Sequence, residues 1–239
     1  MRSTRLFYIL FFVVGIFPFL SASDHSNYIS DKERDKVVSY ELLDLPTVDI
    51  SKFPKDSEGW ITLFDGKTFD GWRGYNRTDI PEMWCIANGT IHIRTTGTGG
   101  AGSNGGDILF AYKFKNFEFE VEWKAAKGAN SGIHYFIQEV KGESASQSAP
   151  ECQILDNENH GDAKVGRDGN RQASSLYDLV PAKPQNAKPF GEWNKIKIRC
   201  KDGEVTHFQN GVAVVKYRLW SPEWKKCWML VNGVKIRIL

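Results

Sequence analysis

Short runs of alternating apolar and polar residues, separated by Gly, Asn and Asp, make up most of the chain from residue 60 onward. Phe117 to Lys124 alternates throughout, which predicts a strand with Phe, Val and Trp on one face and glutamates on the other. Asp202-Gly203 and Asn210-Gly211 lie between such runs and predict hairpin turns. The clearest predicted strands are Ile91–Arg94, Phe117–Lys124, Ile133–Gln138, Glu151–Leu155, Trp193–Cys200, Val205–Gln209 and Val212–Tyr217.

This pattern contains no sustained helical period and no internal repeat, so it predicts an all-β sandwich of two antiparallel sheets. Hydrophobic residues make up 41% of the chain and aromatic residues 13%, which is enough for a sizeable core. The net charge of +2 gives no reason to expect a nucleic acid or an anionic membrane as a partner.

The N-terminus has the pattern of a secretory signal, which we assign to residues 1–23. Arg2 and Arg5 precede an apolar run that Pro18 interrupts, and this run is shorter than the roughly 20 residues of a spanning helix. We therefore expect export to the periplasm or the extracellular space, with no membrane insertion after the signal is removed. Residues 24–58 are charged and poorly periodic, which predicts a linker or N-terminal extension before a domain at 59–239.

The segment from Glu151 to His160 carries the strongest chemical signal. Along a strand, Glu151 and Gln153 share one face while Cys152 and Ile154 point to the other. Asp156 and His160 follow in a loop, so a carboxylate, an amide and an imidazole lie within ten residues. His160 could exchange protons near neutral pH or bind a metal, whereas the alternative is a solvated strand end.

Other candidates lie nearby. Asn130-Ser131-Gly132 has the composition of a turn that leads into a strand. These residues either contact a ligand or only form the turn. His134 on that strand is ligand-facing or structural. The predicted polar face of Glu118, Glu120 and Glu122 could supply the carboxylates of a retaining glycosidase, or could only solvate a sheet.

Together these motifs resemble the 3-keto-disaccharide hydrolases, also described as 3-ketoglycoside hydrolases or lyases. The matching segments, which cover most of residues 59 to 217, are Gly59–Lys67, Gly71-Trp72, Asn130–Ile133, Glu151–His160, Gly169–Arg171, Ser175–Leu179, Gly191–Asn194 and Asn210-Gly211.

The resemblance implies a jelly roll of the concanavalin A-like type and cleavage of a 3-keto-glycoside by removal of the C2 proton and elimination, with or without hydration. It implies that Glu151 is the base or a carboxylate beside a metal ion, and that His160 is its acid-base partner. Asp156 would orient His160 or bind a cation. The resemblance leaves open whether a divalent metal ion takes part in the reaction. The residues expected to contact the sugar are Asn130, Gln153, Tyr177, Asn194, Glu122 and His134.

The C-terminus departs from the family pattern, because Trp220 to Trp228 leads almost directly to Val234–Leu239 without the strand that usually intervenes. We expect lower stability and weaker catalysis than in a full-length relative, since a missing strand exposes unpaired backbone groups. An ordinary glycosidase and a non-catalytic carbohydrate-binding module remain the alternatives to a 3-ketoglycoside enzyme.

Overall fold

The computed structural model describes residues 41–93 and 106–224. Within these ranges the chain is almost entirely strand and loop, with the short α-helix α1 (Ala145–Ser148) and the 3₁₀ turns Ile50–Lys52 and Gly161–Lys164. None of its described helices is long and apolar enough to cross a membrane. The strands are β1 (Trp72–Gly74), β2 (Trp84–Ala87), β3 (Thr90–Ile93), β4 (Ile108–Phe110), β5 (Phe117–Trp123), β6 (Asn130–His134), β7 (Glu151–Leu155), β8 (Asn194–Lys201), β9 (Glu204–Gln209) and β10 (Val212–Arg218).

The largest described sheet is antiparallel and has the order β10-β9-β8-β5. Its two tight hairpins turn at Asp202-Gly203 and Asn210-Gly211, as predicted. Each Asn or Asp has a φ of 49°, and each following Gly has a φ above 80°. Two successive residues with positive φ match the right-handed twist of the flanking strands, which is why these dipeptides occur there.

A second layer is built on the antiparallel pair β6–β7, in which His134 lies opposite Glu151 and Gly132 opposite Gln153. The chain returns along the free side of β7, where Cys152 forms an antiparallel bridge with Leu176. A hydrogen bond of 2.9 Å from Tyr177 N–H to Glu151 C=O continues that pairing. The layer therefore has three adjacent segments with β7 in the middle.

The main core lies between these two layers. One face of β6 and β7, with Ile133, Cys152 and Ile154, packs in the same cluster as Val121 and Trp123 of β5. The core-facing residues of β8 in that cluster are Ile196, Ile198 and Cys200. Antiparallel strands that enclose one core confirm the predicted all-β sandwich.

Two local predictions are corrected. Asn130-Ser131-Gly132 is the first part of strand β6 and is not a turn. The predicted strand Ile133–Gln138 ends early, at His134, because Phe136 has a φ of 57° and breaks the extended backbone.

Part of the predicted linker at 24–58 is described by the structure and lies along the domain. Leu42 bridges Val140, and Leu43 N–H donates to Glu139 C=O at 2.8 Å. The predicted signal at 1–23 and the unusual C-terminal segment beyond Trp224 lie outside the described residues.

Candidate active site

The candidate site is the face of the β6–β7 layer that points away from the core. Because paired residues in antiparallel strands project to the same side, His134, Glu151 and Tyr177 form one row across the three segments. Gly132 and Gln153 form the next row. The prediction that Glu151 and Gln153 share a face opposite Cys152 and Ile154 is confirmed, since Cys152 and Ile154 are core residues.

Glu151 crosses diagonally over Gly132. A Cβ atom on Gly132 would overlap Oε1, Cδ and Cγ of Glu151, so only glycine leaves room for this side-chain position. Gly132 has no positive φ, and its role is therefore to provide space rather than backbone freedom. The Asn-Ser-Gly motif thus serves to seat the Glu151 carboxyl group.

The proton affinity of Glu151 is unusually high. Burial and the nearby carboxylates of Asp107 and Asp162 raise the pKa of Glu151 from 4.5 to about 8. Burial also raises the pKa of Asp107, which precedes β4, to about 6. A carboxyl group that titrates near neutral pH is suited to proton transfer, as general bases are most effective when their pKa lies near the working pH.

Two side chains in this layer carry buried polar atoms without a hydrogen bond. Gln153 is 1% exposed, and neither its Nε2 nor its Oε1 has a partner. The Oδ1 atom of Asn130, on the same face of the adjacent strand, is also unpaired. Unpaired buried amides are costly, and they point to a ligand or a water that completes them.

His134 is neutral at physiological pH. Burial lowers its pKa to about 4, although a hydrogen bond with the backbone of Pro150 opposes this shift. A neutral ring beside Glu151 does not supply a positive charge to stabilise the carboxylate. His134 therefore allows the pKa of Glu151 to stay high.

The loop after β7 brings further groups to Tyr177. Tyr177 Oη donates to Asp162 Oδ2 at 2.9 Å, and Arg171 Nη1 donates to Asp162 Oδ1 at 3.0 Å. The half-buried His160 accepts from Asp162 N–H through Nδ1 at 3.1 Å. The loop thus links the predicted site residues His160 and Tyr177 through Asp162.

Asp156 does not orient His160 through its side chain, so this prediction is corrected. Its Oδ2 accepts from Gly128 N–H and from Asn159 Nδ2, both at 2.8 Å. Burial alone would raise the pKa of Asp156, but these and other hydrogen bonds outweigh it and lower the pKa. The Asp156 carboxylate therefore stabilises the loop in which it lies. Its contact with His160 is through the backbone, where the Asp156 C=O accepts from His160 N–H at 3.1 Å.

Asn194, predicted to contact the sugar, is buried and makes hydrogen bonds within the fold. It is 1% exposed and lies opposite Trp123, on the core face of β8. Its Oδ1 accepts from Lys188 N–H at 2.8 Å and from Asn210 Nδ2 at 2.9 Å. Trp193, in contrast, is 40% exposed and lies just before β8, which begins one residue later than predicted.

The glutamates of β5 lie on the opposite side of the sandwich from Glu151. Their strand uses its other face for the core, and so does β7, so the two polar faces point away from each other. Glu120 pairs with Lys195, and Glu118 with Lys197 at 3.6 Å. Glu122, predicted to bind sugar, is opposite Lys195 in the same ladder and is remote from the Glu151 face.

The open question of a divalent metal ion gains no support from a cluster of ligand side chains among the described residues. Within 41–93 and 106–224, no three His, Cys, Asp or Glu side chains are arranged to hold one. Asp107 and Asp162 raise the pKa of Glu151, but the three carboxyl groups do not form such a cluster.

Comparison with known proteins identifies the family of this chain. A sequence profile of the 3-keto-alpha-glucoside-1,2-lyase-like domain matches residues 59–235. The chain belongs to this family. A 3-keto-disaccharide hydrolase of Bacteroides thetaiotaomicron is 52% identical over 198 residues, which cover 78% of this chain and 68% of that relative. A crystal structure of a candidate glycosyl hydrolase from Parabacteroides distasonis is 28% identical, with a TM-score of 0.61, and the alignment covers 75% of this chain and 79% of that chain.

Three residues around Glu151 and Tyr177 were not predicted from the sequence. Asp107 lies outside the motifs of this family that the sequence displays, and no local signal marks it. Asp162 follows His160 by two residues and looks like an ordinary loop acid. Arg171 does belong to a family motif, Gly169-Asn170-Arg171, and that motif could have indicated an ionic partner in the loop.

Proposed function

We propose that this chain cleaves the glycosidic bond of 3-keto-glycosides, with Glu151 as the base that removes the C2 proton. A ketone at C3 makes the C2 hydrogen acidic, because the resulting carbanion is delocalised onto the ketone oxygen. The electron pair then forms the C1–C2 double bond while the C1–O bond breaks. The leaving oxygen takes a proton, which a general acid supplies.

The observation that carries this proposal is the seating of Glu151. Its carboxyl group is held over Gly132 and has a pKa of about 8, so its ionised form is a much stronger base than an ordinary carboxylate. A stronger base favours the abstraction of a carbon-bound proton. The activity should therefore rise with pH as Glu151 loses its proton, and level off above about 8.

The neighbouring groups match the other needs of the reaction. Gln153 Nε2 has no partner, and it is the group we assign to the C3 oxygen, where negative charge develops. His160 accepts from Asp162 through Nδ1, so its neutral ring carries the proton on Nε2. That proton is the one we assign to the leaving group. Asn130 is assigned to a sugar hydroxyl.

Hydration would complete a hydrolase cycle. Water adds its oxygen to C1 of the unsaturated ketone and a proton returns to C2, so that the sum of both steps is hydrolysis. The named activity of the Bacteroides thetaiotaomicron relative, 3-keto-disaccharide hydrolysis, supports this second step here. We also propose that the enzyme acts after export, on the basis of the N-terminal signal pattern.

The experiment is a comparison of one purified protein on a glucoside and on its 3-keto derivative. We expect cleavage of the 3-keto compound and an intact parent glucoside. Glu151→Gln should abolish this cleavage, while Glu120→Gln on the opposite face should preserve it. Equal rates on both substrates, or loss of activity in Glu120→Gln alone, would favour the ordinary glycosidase instead.

A further inference from the structure

We propose that Asp162 is the positioning residue of this site: its carboxylate orients Tyr177, its backbone N–H orients His160, and its charge acts on Glu151. This inference rests on the proposed function. Asp162 lies in the 3₁₀ turn Gly161–Lys164, directly after His160.

The first contact is with Tyr177. The phenol donates its only proton to Asp162 Oδ2 at 2.9 Å, which fixes the direction of the hydroxyl group. Tyr177 is beside Glu151 in the three-segment layer, and its N–H donates to Glu151 C=O at 2.9 Å. The Tyr177 oxygen therefore offers only lone pairs to a substrate, as an acceptor for a sugar hydroxyl.

The second contact is with His160. Asp162 N–H donates to Nδ1 at 3.1 Å, so a neutral His160 must keep its proton on Nε2. The same backbone bond caps the 3₁₀ turn in which Asp162 lies. The position of Asp162 and the tautomer of His160 are thus set by one interaction.

The third effect acts on Glu151 through space. The titratable groups that face Glu151 are Asp107, Asp162, His134 and Tyr177, and both aspartates disfavour its ionised form. Removal of the Asp162 charge therefore makes Glu151 a weaker base that ionises at lower pH.

Asp178 offers a matched control for the two effects that depend on the Asp162 carboxylate, because both aspartates bind Arg171. Arg171 holds Asp162 Oδ1 through Nη1 at 3.0 Å, and it holds both oxygens of Asp178 through Nε at 2.8 Å and Nη2 at 3.0 Å. Asp178 shares Arg171 with Asp162 but has no described bond to Tyr177 or His160 side chains. Loss of either carboxylate removes one anionic partner of Arg171, and only the loss of Asp162 disturbs the site.

The test compares Asp162→Asn with Asp178→Asn in the full chain, using a 3-keto-glucoside over pH 5 to 9. We expect Asp162→Asn to lower kcat about 10-fold or more, as for loss of a hydrogen bond to a charged group, and to move the rising limb of the pH profile about 0.5 pH unit lower. Asp178→Asn should change neither kcat nor the position of the rising limb of the pH profile. Identical profiles for the two variants would overturn the proposal.

Two further variants cover a failure of Asp162→Asn to fold. Asp162→Glu and Tyr177→Phe both disturb the bond between Asp162 and Tyr177, so each should reduce kcat. Each keeps a negative charge at position 162, so the rising limb of the pH profile should not move. Wild-type kcat in Tyr177→Phe, or a displaced limb in Asp162→Glu, would contradict the proposal.

A stability cycle separates this inference from the proposed function. The Tm increase that Glu151→Gln produces at pH 8 should be smaller in the Asp162→Asn background than in Asp178→Asn. Equal increases would refute the action of Asp162 on Glu151, even if no substrate is turned over. An inactive wild type with unequal increases would reject the proposed function and retain the electrostatic link.

Discussion

Glu151→Gln should stabilise the fold while it removes the activity, and this stabilisation should grow with pH. The Glu151 carboxyl group keeps its proton up to about pH 8 in the folded state, against an ordinary pKa of 4.5. Above 4.5 the unfolded chain releases this proton and the folded chain retains it, so stability falls as pH rises towards about 8. Glutamine is neutral in both states and carries no such penalty.

The size of the effect follows from the two pKa values. A separation from 4.5 to about 8 sets a ceiling of roughly 4 kcal/mol at pH 8 and roughly 1 kcal/mol at pH 5. We take about half of this ceiling, about 2 kcal/mol at pH 8, as the order of magnitude to expect. For a chain of this size, that corresponds to a Tm increase of about 5 °C.

The assay is thermal unfolding of the wild type and Glu151→Gln at pH 5, 6, 7 and 8. The Tm difference should widen steadily with pH and stay constant above about 8. Glu120→Gln is the matched control, because Glu120 pairs with Lys195 on the opposite face and its loss should not stabilise the protein at any of these pH values. A Tm difference that is independent of pH, or a less stable Glu151→Gln at pH 8, would refute the reasoning.

Four further predictions test single residues. Gly132→Ala should lower kcat at least ~10-fold with little change in KM, because the new methyl group displaces the Glu151 carboxyl, and unchanged kcat would contradict its seating role. Gln153→Leu should leave the free energy of unfolding equal or raise it by about 1 kcal/mol, since it removes unpaired buried polar atoms, while turnover falls; a large loss of stability would show that the amide has a structural partner. Asn194→Ala should lower stability by about 2 kcal/mol and leave KM unchanged, and a raised KM with normal Tm would return Asn194 to the sugar site. Burial lowers the pKa of His207 from 6.5 to about 4, so the folded chain resists protonation there and loses stability as pH falls through that range; the Tm advantage of wild type over His207→Gln should shrink between pH 7 and 5, and a constant advantage would contradict this.

The sequence predicted those features that depend on neighbours along the chain. The alternation in β5 and β7 fixed which side chains share a face, and the Asp-Gly and Asn-Gly pairs fixed two hairpins. Such patterns are local, because side chains alternate along every strand and positive φ values favour few residue types.

The remaining features depend on contacts between distant segments. Alternation showed that Glu122 is on a polar face, but not that this face is opposite to that of Glu151. Asn194 looked like a polar ligand, although it folds inward and bonds to Lys188 and Asn210. Asp107, which precedes β4, influences Glu151 although the two residues are far apart in sequence. Each of these outcomes depends on how distant segments are arranged in the fold, which no local pattern specifies.

The central claim is that Glu151 removes the C2 proton of a 3-keto-glycoside, and turnover in deuterated water tests it most directly. If the claim holds, the hydrogen at C2 of the substrate is absent from the product. It is replaced by deuterium after hydration, or by a double bond if the reaction stops at elimination. Glu151→Gln should show neither change. Cleavage by the wild type with the original C2 hydrogen retained would contradict the claim.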